Sequence, residues 1–452
     1  MNIIIAGGGK VGLTLVRQLS AEGHDLTIID RDKQVLEKTV DRYDTMVVAG
    51  NCASMEVLLS AGIQDADLLI AATAMDEVNL LCCMTAHGLN KNLHTIARIR
   101  TPEYADQIMT MRDIFPLSMT VNPEMQAALE IERLLKFPGF LRRESFANDQ
   151  AQIVELRIDN ASKLCNLPLS ELGTVVKCRV LVCAVLRAGN AVAPTGNFIL
   201  KEGDRIFVTA PTANLAILLK SLGIVTRKVR NVLICGGGRV SYYLASCLED
   251  ENMSVRILEK DYNRCVSLAS QFEYATVIHG DCSSQANLDS QGLESMDAVV
   301  TLTGMDETNM VVSLYAGSRG VSQIITKLGR TENSKLADTM ALGSTISPKE
   351  LCSNSIVRYV RAMQNQTGAA VSLHTIADGQ VEAIEFLVDE STRHCGTALK
   401  DLKLRPNVLI ASITHGADTQ IPNGGSAFYP GDSVVVVTSG RGILQGMNDI
   451  FA

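Results

Sequence analysis

Cys-x-x-Cys pairs, long basic runs and long apolar runs are all missing from this 452-residue chain. Its 12 cysteines are scattered, with no Cys-x-x-Cys pair and no His-Cys cluster at zinc spacing. They therefore read as reduced, mostly buried small apolar residues, and neither a disulfide nor a metal site is expected. Every apolar run is cut by glycine or charge well short of the roughly 20 residues that cross a bilayer, so no membrane span is expected. The formal net charge is −8; without a basic block there is no electrostatic footprint for nucleic acid or anionic lipid. The short Arg227-Lys228-Val229-Arg230 segment reads as a solvated linker. Met1-Asn2-Ile3 enters a strand at once, without the charged, apolar and cleavage regions of a secretory signal, and the expected location is the cytoplasm.

What the chain has is a repeat. Asn2–Ser54, with Gly7-Gly8-Gly9, Asp30 and Gly50-Asn51-Cys52, returns as Asn231–Ser284, with Gly236-Gly237-Gly238, Glu259 and Gly280-Asp281-Cys282. The correspondence continues through Thr73-Ala74-Met75-Asp76-Glu77-Val78-Asn79 against Thr303-Gly304-Met305-Asp306-Glu307-Thr308-Asn309. A repeated constellation constrains the fold before any single element is assigned.

In each copy short β-branched runs alternate with helical patterns. The first has runs at Asn2–Ala6, Asp25–Asp30, Thr45–Ala49, Leu68–Thr73 and His94–Ile99; the second has them at Val232–Cys235, Val255–Glu259, Thr276–His279, Ala298–Thr303 and Gln323–Leu328. Continuous apolar strands between helices predict an α/β fold with a doubly wound parallel sheet of Rossmann type in each half. Pro-led helices over Pro123–Lys136 and Pro348–Gln364 follow; such a helix closes its own sheet or crosses to a partner subunit. The texture then turns strand-rich twice. Pro194-Thr195-Gly196 and Gly203-Asp204 are echoed by Pro422-Asn423-Gly424 and Gly431-Asp432, and a Gly-Asp turn feeding a β-branched run is a hairpin signal. The expected organisation is a Rossmann domain over residues 1–140, a small α/β module over 141–224, a second Rossmann domain over 229–369 and a second small module over 370–452.

Gly7-x-Gly9-x-x-Gly12 follows a strand and opens a helix, the context a dinucleotide site requires. The first glycine makes the turn, the second admits a pyrophosphate, the third lets helix pack on strand, and the helix start offers orphan N–H groups to the phosphates. Asp30 ends the second strand, where a carboxylate accepts ribose hydroxyls and repels a 2′-phosphate, favouring NAD over NADP. Glu259 holds the same place in the second copy, where Ser241 replaces the third glycine. Asn51 and Asp281 suit either an adenine contact or a loop-start cap. Thr73 and Thr303 end the fourth strand across the switch point, and Thr-x-x-Asp also fits a capping box. Arg98 and its counterpart Lys327 end the fifth strand, placed to pair with a phosphate or with Asp76 or Glu77. There are only seven histidines, none at matching places in the two small modules. A dehydrogenase needs an acid or base against its nicotinamide, so the nucleotide reads as a signal rather than a reagent.

These motifs, together with Ala97-Arg98-Ile99-Arg100, resemble the Trk-type potassium-uptake regulators, peripheral NAD-binding subunits built from tandem nucleotide-binding (RCK-N, or KTN) and smaller RCK-C domains. The resemblance covers essentially the whole chain. The nucleotide contacts it implies fall on Gly7, Gly8, Gly9, Lys10, Val11, Gly12, Asp30, Arg31, Asn51, Cys52, Thr73, Ala74 and Arg98 in the first half. In the second they fall on Gly236, Gly237, Gly238, Arg239, Val240, Glu259, Asp281, Cys282, Thr303, Gly304 and Lys327. It further implies NAD(H) as ligand, with ATP or ADP as alternatives, no catalytic residue, and a homo-oligomeric ring docked at the cytoplasmic face beneath a membrane potassium-translocating subunit. The alternatives are a regulator of a potassium efflux channel or antiporter, and an NAD-dependent oxidoreductase. Ser241 and Lys327 depart from the family's more usual Gly and Arg, so the two clefts are expected to be unequal.

Overall fold

The computed structural model describes residues 1–110, 115–160, 162–223, 228–251, 253–330, 340, 342–364, 370–377, 379–439, 444 and 446–452. Arg227, in the expected linker, lies outside them. In the first half β1 (Asn2–Ala6), β2 (Asp25–Asp30), β3 (Met46–Ala49), β4 (Leu68–Ala71), β5 (His94–Arg98) and β6 (Met119–Val121) form a parallel sheet in the order β3-β2-β1-β4-β5-β6. The strand order reverses between β1 and β4, which sets the crevice at their carboxyl ends. β4 is buried at every position, and β1 at all but its first, as a strand covered by helices on both faces must be.

A five-stranded antiparallel sheet follows, built from β7 (Arg142–Phe146), β8 (Ala151–Arg157), β9 (Leu181–Arg187), β10 (Asn190–Val192) and β11 (Arg205–Pro211). The second half repeats both units. Its parallel sheet comprises β12 (Asn231–Cys235), β13 (Ser254–Glu259), β14 (Thr276–His279), β15 (Ala298–Thr301), β16 (Gln323–Lys327) and β17 (Ser344–Ile346). Its antiparallel sheet comprises β18 (Ala370–Ile376), β19 (Val381–Leu387), β20 (Val408–His415), β21 (Asp418–Gln420) and β22 (Ser433–Thr438). Strand order is the same in the corresponding sheets of the two halves. The three-residue edge strands β6 and β17 escape the sequence pattern because they carry no apolar run of their own.

The Pro-led helices occupy Pro123–Lys136 and Pro348–Gln364, as the pattern predicts. Asn122 caps the first, accepting from the Met125 N–H at 2.9 Å. Their destinations are exchanged. Ala127, Ala128, Ile131, Leu134 and Leu135 join the core of the second parallel sheet, with Val232, Ile234, Leu244 and Ala245. Cys352, Ile356, Val357 and Val360 join the core of the first, with Ile3, Ile5, Leu15 and Leu19. Each helix closes the other half's sheet rather than its own. Fully burying one such side chain stabilises by about 1.5–3 kcal/mol, so the exchange welds the two halves.

The small modules also pack together: Phe146, Ile153, Leu186 and Phe207 share a core with Ile376, Val381, Val435 and Val437. Two expectations need correction. The Gly-Asp turns do not join paired strands. Gly203 and Gly431 take φ of +87° and +95°, and the buried carboxylates of Asp204 and Asp432 accept from the Lys201 and Tyr429 N–H groups while pairing with Arg187 and His415. In the supposed linker, Lys228 and Arg230 are exposed, but Val229 is buried in the second parallel-sheet core.

Candidate nucleotide clefts

Each glycine loop joins the first strand of its sheet to the next helix, Lys10–Ala21 or Arg239–Leu248. Gly7 and Gly236 have φ of +109° and +103°, the left-handed region that favours glycine. A Cβ on Gly7 would stand 2.9 Å from the Ala72 and Thr73 backbone, so the loop presses directly on the end of β4. Gly9 and Gly238, the N-caps of the two helices, have no atom of a described residue within 4 Å of an added Cβ. Nothing among the described residues demands glycine there; the space in front is open, as a phosphate's approach requires.

The third position separates the halves. A Cβ on Gly12 would come within 1.9 Å of the Gly7 carbonyl oxygen, whereas Ser241 is accommodated, fully buried, and its hydroxyl donates to the Gly236 carbonyl. Val11 and Val240 are buried beneath the loops, and Lys10 and Arg239 are exposed at the helix starts.

Asp30 and Glu259 both reach back to the loops. Asp30 accepts from the Gly8 N–H at 2.5 Å and the Asp32 N–H at 2.8 Å; Glu259 accepts from Gly237 at 2.6 Å and Asp261 at 2.7 Å. Each carboxylate oxygen keeps a further lone pair for a ribose hydroxyl. Arg31 is exposed. Asn51 and Asp281 are exposed and serve as loop caps, accepting from the N–H groups of Ala53 and Ser283. Cys52 and Cys282 are buried behind them; a hydrogen bond with Cys52 together with burial pushes the Cys82 thiol up.

Thr73 and Thr303 are half-buried at the cleft, with Ala74 and Gly304 exposed beside them. The helices Asp76–Leu89 and Asp306–Ser318 begin at Met75 and Met305 without a side-chain cap, so the Thr-x-x-Asp pattern is not a capping box. The Thr73 N–H and hydroxyl donate to Asn79 Oδ1 at 2.8 and 2.7 Å, and Asn79 Nδ2 donates to the Arg98 carbonyl at 2.8 Å. Asn309 does the same between Thr303 and Lys327. These fully buried asparagines tie the ends of the fourth and fifth strands. Sequence reasoning gave them no role, although their recurrence in both copies was the available signal.

Asp76 is held by Arg100 and Thr101, accepting from both backbone N–H groups at 2.8 Å. Burial works to raise its pKa, but those bonds, the Thr101 hydroxyl and the Arg100 charge hold it below the usual carboxylate range. Arg98 therefore makes no rim salt bridge to Asp76 or Glu77. Its Nη2 donates to the Thr73 carbonyl, and its Nε is buried without a partner. Lys327 Nζ donates to the Leu302 carbonyl at 3.0 Å. Burial lowers the pKa of both cations, and each stands at a cleft rim with its charge uncompensated by a hydrogen-bonded carboxylate among the described residues.

Two Rossmann crevices with open glycine loops, acids at the second strands and rim cations, joined by exchanged helices and flanked by antiparallel modules, define a tandem RCK-type chain. The sequence matches the TrkA-N domain over residues 3–114 and 232–348 and the TrkA-C domain over 153–223 and 383–448. It is 32% identical to Trk system potassium uptake protein TrkA homolog 1 of Methanosarcina mazei, across 96% of this chain and 97% of that one. To Trk system potassium uptake protein TrkA of Vibrio alginolyticus it is 30% identical, across 100% and 98%. The GsuK channel bound to NAD has a similar fold, with a TM-score of 0.61 at 17% identity, covering 97% of this chain and 77% of that one. The chain belongs to the TrkA family of Trk system potassium uptake proteins. No described helix is long and apolar enough to cross a membrane.

Proposed function

We propose that the chain is the nucleotide-sensing regulatory subunit of a Trk-type potassium uptake system, gating a membrane potassium-translocating subunit from the cytoplasmic face without catalysing a reaction. The observation that carries this reading is the open space in front of Gly9 and Gly238, each beside an acid that ends the second strand. NAD(H) is the ligand best suited to a ribose-binding acid and a pyrophosphate loop; ATP and ADP fit the same features. The contact residues are those named from the sequence, with the first cleft the better specified. The division at 1–140, 141–224, 229–369 and 370–452 belongs to the same proposal. Identifying the nucleotide that co-purifies, and measuring potassium flux with and without it in vesicles holding both subunits, tests the reading. Ligand-free protein whose partner is indifferent to every adenine nucleotide would overturn it.

Ring assembly is supported by a duplicated apolar surface. Met75, Leu81 and Met84 are exposed at 56%, 53% and 42%, and Met305, Val311 and Leu314, at the same places in the second copy, at 58%, 63% and 39%. Apolar side chains kept in water at equivalent positions of both halves suit a surface that meets its counterpart on a neighbouring chain.

A further inference from the structure

The helix that follows the second strand differs between the two halves. Asp30-Arg31-Asp32-Lys33-Gln34-Val35 corresponds to Glu259-Lys260-Asp261-Tyr262-Asn263-Arg264. Both helices start alike, with Asp32 and Asp261 accepting from the N–H groups of Gln34 and Arg264. What differs is the side chain each sets against its glycine loop. In the first half Val35 lies against Gly8. In the second, Arg264 Nε donates to the Gly237 carbonyl at 2.6 Å, while Glu259 accepts from the Gly237 N–H at 2.6 Å. Both backbone groups of Gly237 are thus taken up, and helix Tyr262–Gln271 is tied to the loop and the acid together.

That helix opens with Tyr262, which is 65% exposed. Its ring meets the exposed His279 ring edge-on, with centroids 5.6 Å apart and planes at 78°. His279 ends β14 opposite Glu259 in the strand register, and its Nε2 lies 3.0 Å from the Lys260 carbonyl oxygen. The two rings therefore stand at the carboxyl end of the sheet, beside the acid proposed for the ribose. A ribose carries its base on the side away from its phosphates, so a nucleotide held by the glycine loop and Glu259 turns its base toward this pair. In the first half Ala49 holds the register place opposite Asp30. Lys33 and Ala49 border an open groove there with Leu36, Val40 and Val47, and neither place carries a ring.

We propose that Tyr262, braced by His279, stacks the base of a nucleotide in the second cleft and makes that cleft selective for a purine, whereas the first cleft holds its ligand by ribose and phosphates. An exposed aromatic ring offers the base a flat face, which is all that stacking requires, and the larger purine covers more of it. Lys33 offers the first cleft a point charge and no such face. The inference rests on the proposed nucleotide reading and adds recognition of the base to it.

The test titrates ADP and UDP, which share ribose and diphosphate and differ in the base, into the full chain carrying Asp30→Ala, which leaves the second cleft, and carrying Glu259→Ala, which leaves the first. The second cleft should prefer ADP by about tenfold, and the first should take the two nearly equally. Tyr262→Leu, added to Asp30→Ala, should weaken ADP about tenfold and UDP less, and Tyr262→Phe should restore the preference. Etheno-ADP, whose base fluorescence is quenched on stacking against an aromatic ring, gives a readout that a merely structural role would not move. Its emission should be quenched in the second cleft, recover with Tyr262→Leu and stay unquenched in the first. If a Tyr262 substitution lowers the thermal melt, quenching in the protein that keeps Tyr262 still decides. Equal ADP-to-UDP ratios in the two clefts, or an unquenched base in the second, would overturn the inference while leaving nucleotide binding intact. Failure of the unmutated chain to bind ADP, UDP or NADH would overturn the nucleotide reading itself and this inference with it.

Discussion

Asp30 has two tasks in the first cleft: it anchors the loop through the Gly8 N–H and it is the acceptor proposed for the ribose. Losing a charged hydrogen bond costs about 1.5–3 kcal/mol, so Asp30→Ala should weaken NADH binding by roughly ten- to a hundredfold with circular dichroism unchanged. Calorimetry giving the parent affinity for the first cleft would remove Asp30 from the site. Glu130 offers a prediction in pH. Burial and the neighbouring Glu144 charge push its carboxyl up to about 7, against the opposing charges of Arg133, Arg142 and Arg143, and Arg133 stands 3.6 Å away. A raised folded pKa means that the folded state binds the proton more tightly, so stability falls as pH rises from the ordinary carboxylate value toward 7. Glu130→Gln should flatten that fall in urea melts between pH 5 and 8, windows set by roughly these pKa values; an unchanged slope would refute the assignment. The glycine loops were legible because the backbone demand of each glycine is local. The parts of Asn79, Arg100 and Tyr243 were not, because what they bond is decided only when distant strands and helices become neighbours.

The helices Pro123–Lys136 and Pro348–Gln364 show the same limit among elements. An N-cap, a proline at the first turn and an apolar stripe fix where such a helix begins and that one face is buried, yet they do not say against which sheet. The exchange puts Ile131, fully buried, into the second half's core. Ile131→Ala should therefore destabilise by about 2–5 kcal/mol, and the loss should appear in hydrogen exchange of β12 and β15 rather than of β1 and β4. Faster exchange confined to the first sheet would contradict the exchanged packing. The Gly-Asp turns failed as hairpin signals for a related reason. Their glycines do take positive φ, but the aspartates are drawn inward by Arg187 and His415, partners far off in sequence.

For the molecule as a whole, the exchange makes each cleft a joint product of both halves. Tyr243, on the second half's glycine helix, donates to the Arg100 carbonyl at 2.7 Å and accepts from Asn122 at 2.9 Å, so that helix is fastened to the rim of the first cleft. A ligand moves such an assembly only through unequal affinity for two arrangements, and a coupling of about 1–3 kcal/mol is typical. Phosphates at the first loop would draw on Arg98, whose guanidinium is bonded to the Thr73 carbonyl, and hence on the helix Asp76–Leu89 and on Arg100. On the proposed reading that displacement would pass through Tyr243 to the second glycine helix and along Pro123–Lys136 to the small modules. Distance labels across the two parallel sheets should therefore shift between NADH, ADP, ATP and no ligand. Tyr243→Phe, which deletes both bonds at a net cost of about 0.5–1.5 kcal/mol each, should leave first-cleft affinity nearly intact while shrinking the shift. Small-angle scattering on the same samples reports whether the change is global. Identical distances in every ligand state, with potassium flux equally indifferent, would leave nucleotide binding without a mechanical consequence and would end the regulatory reading.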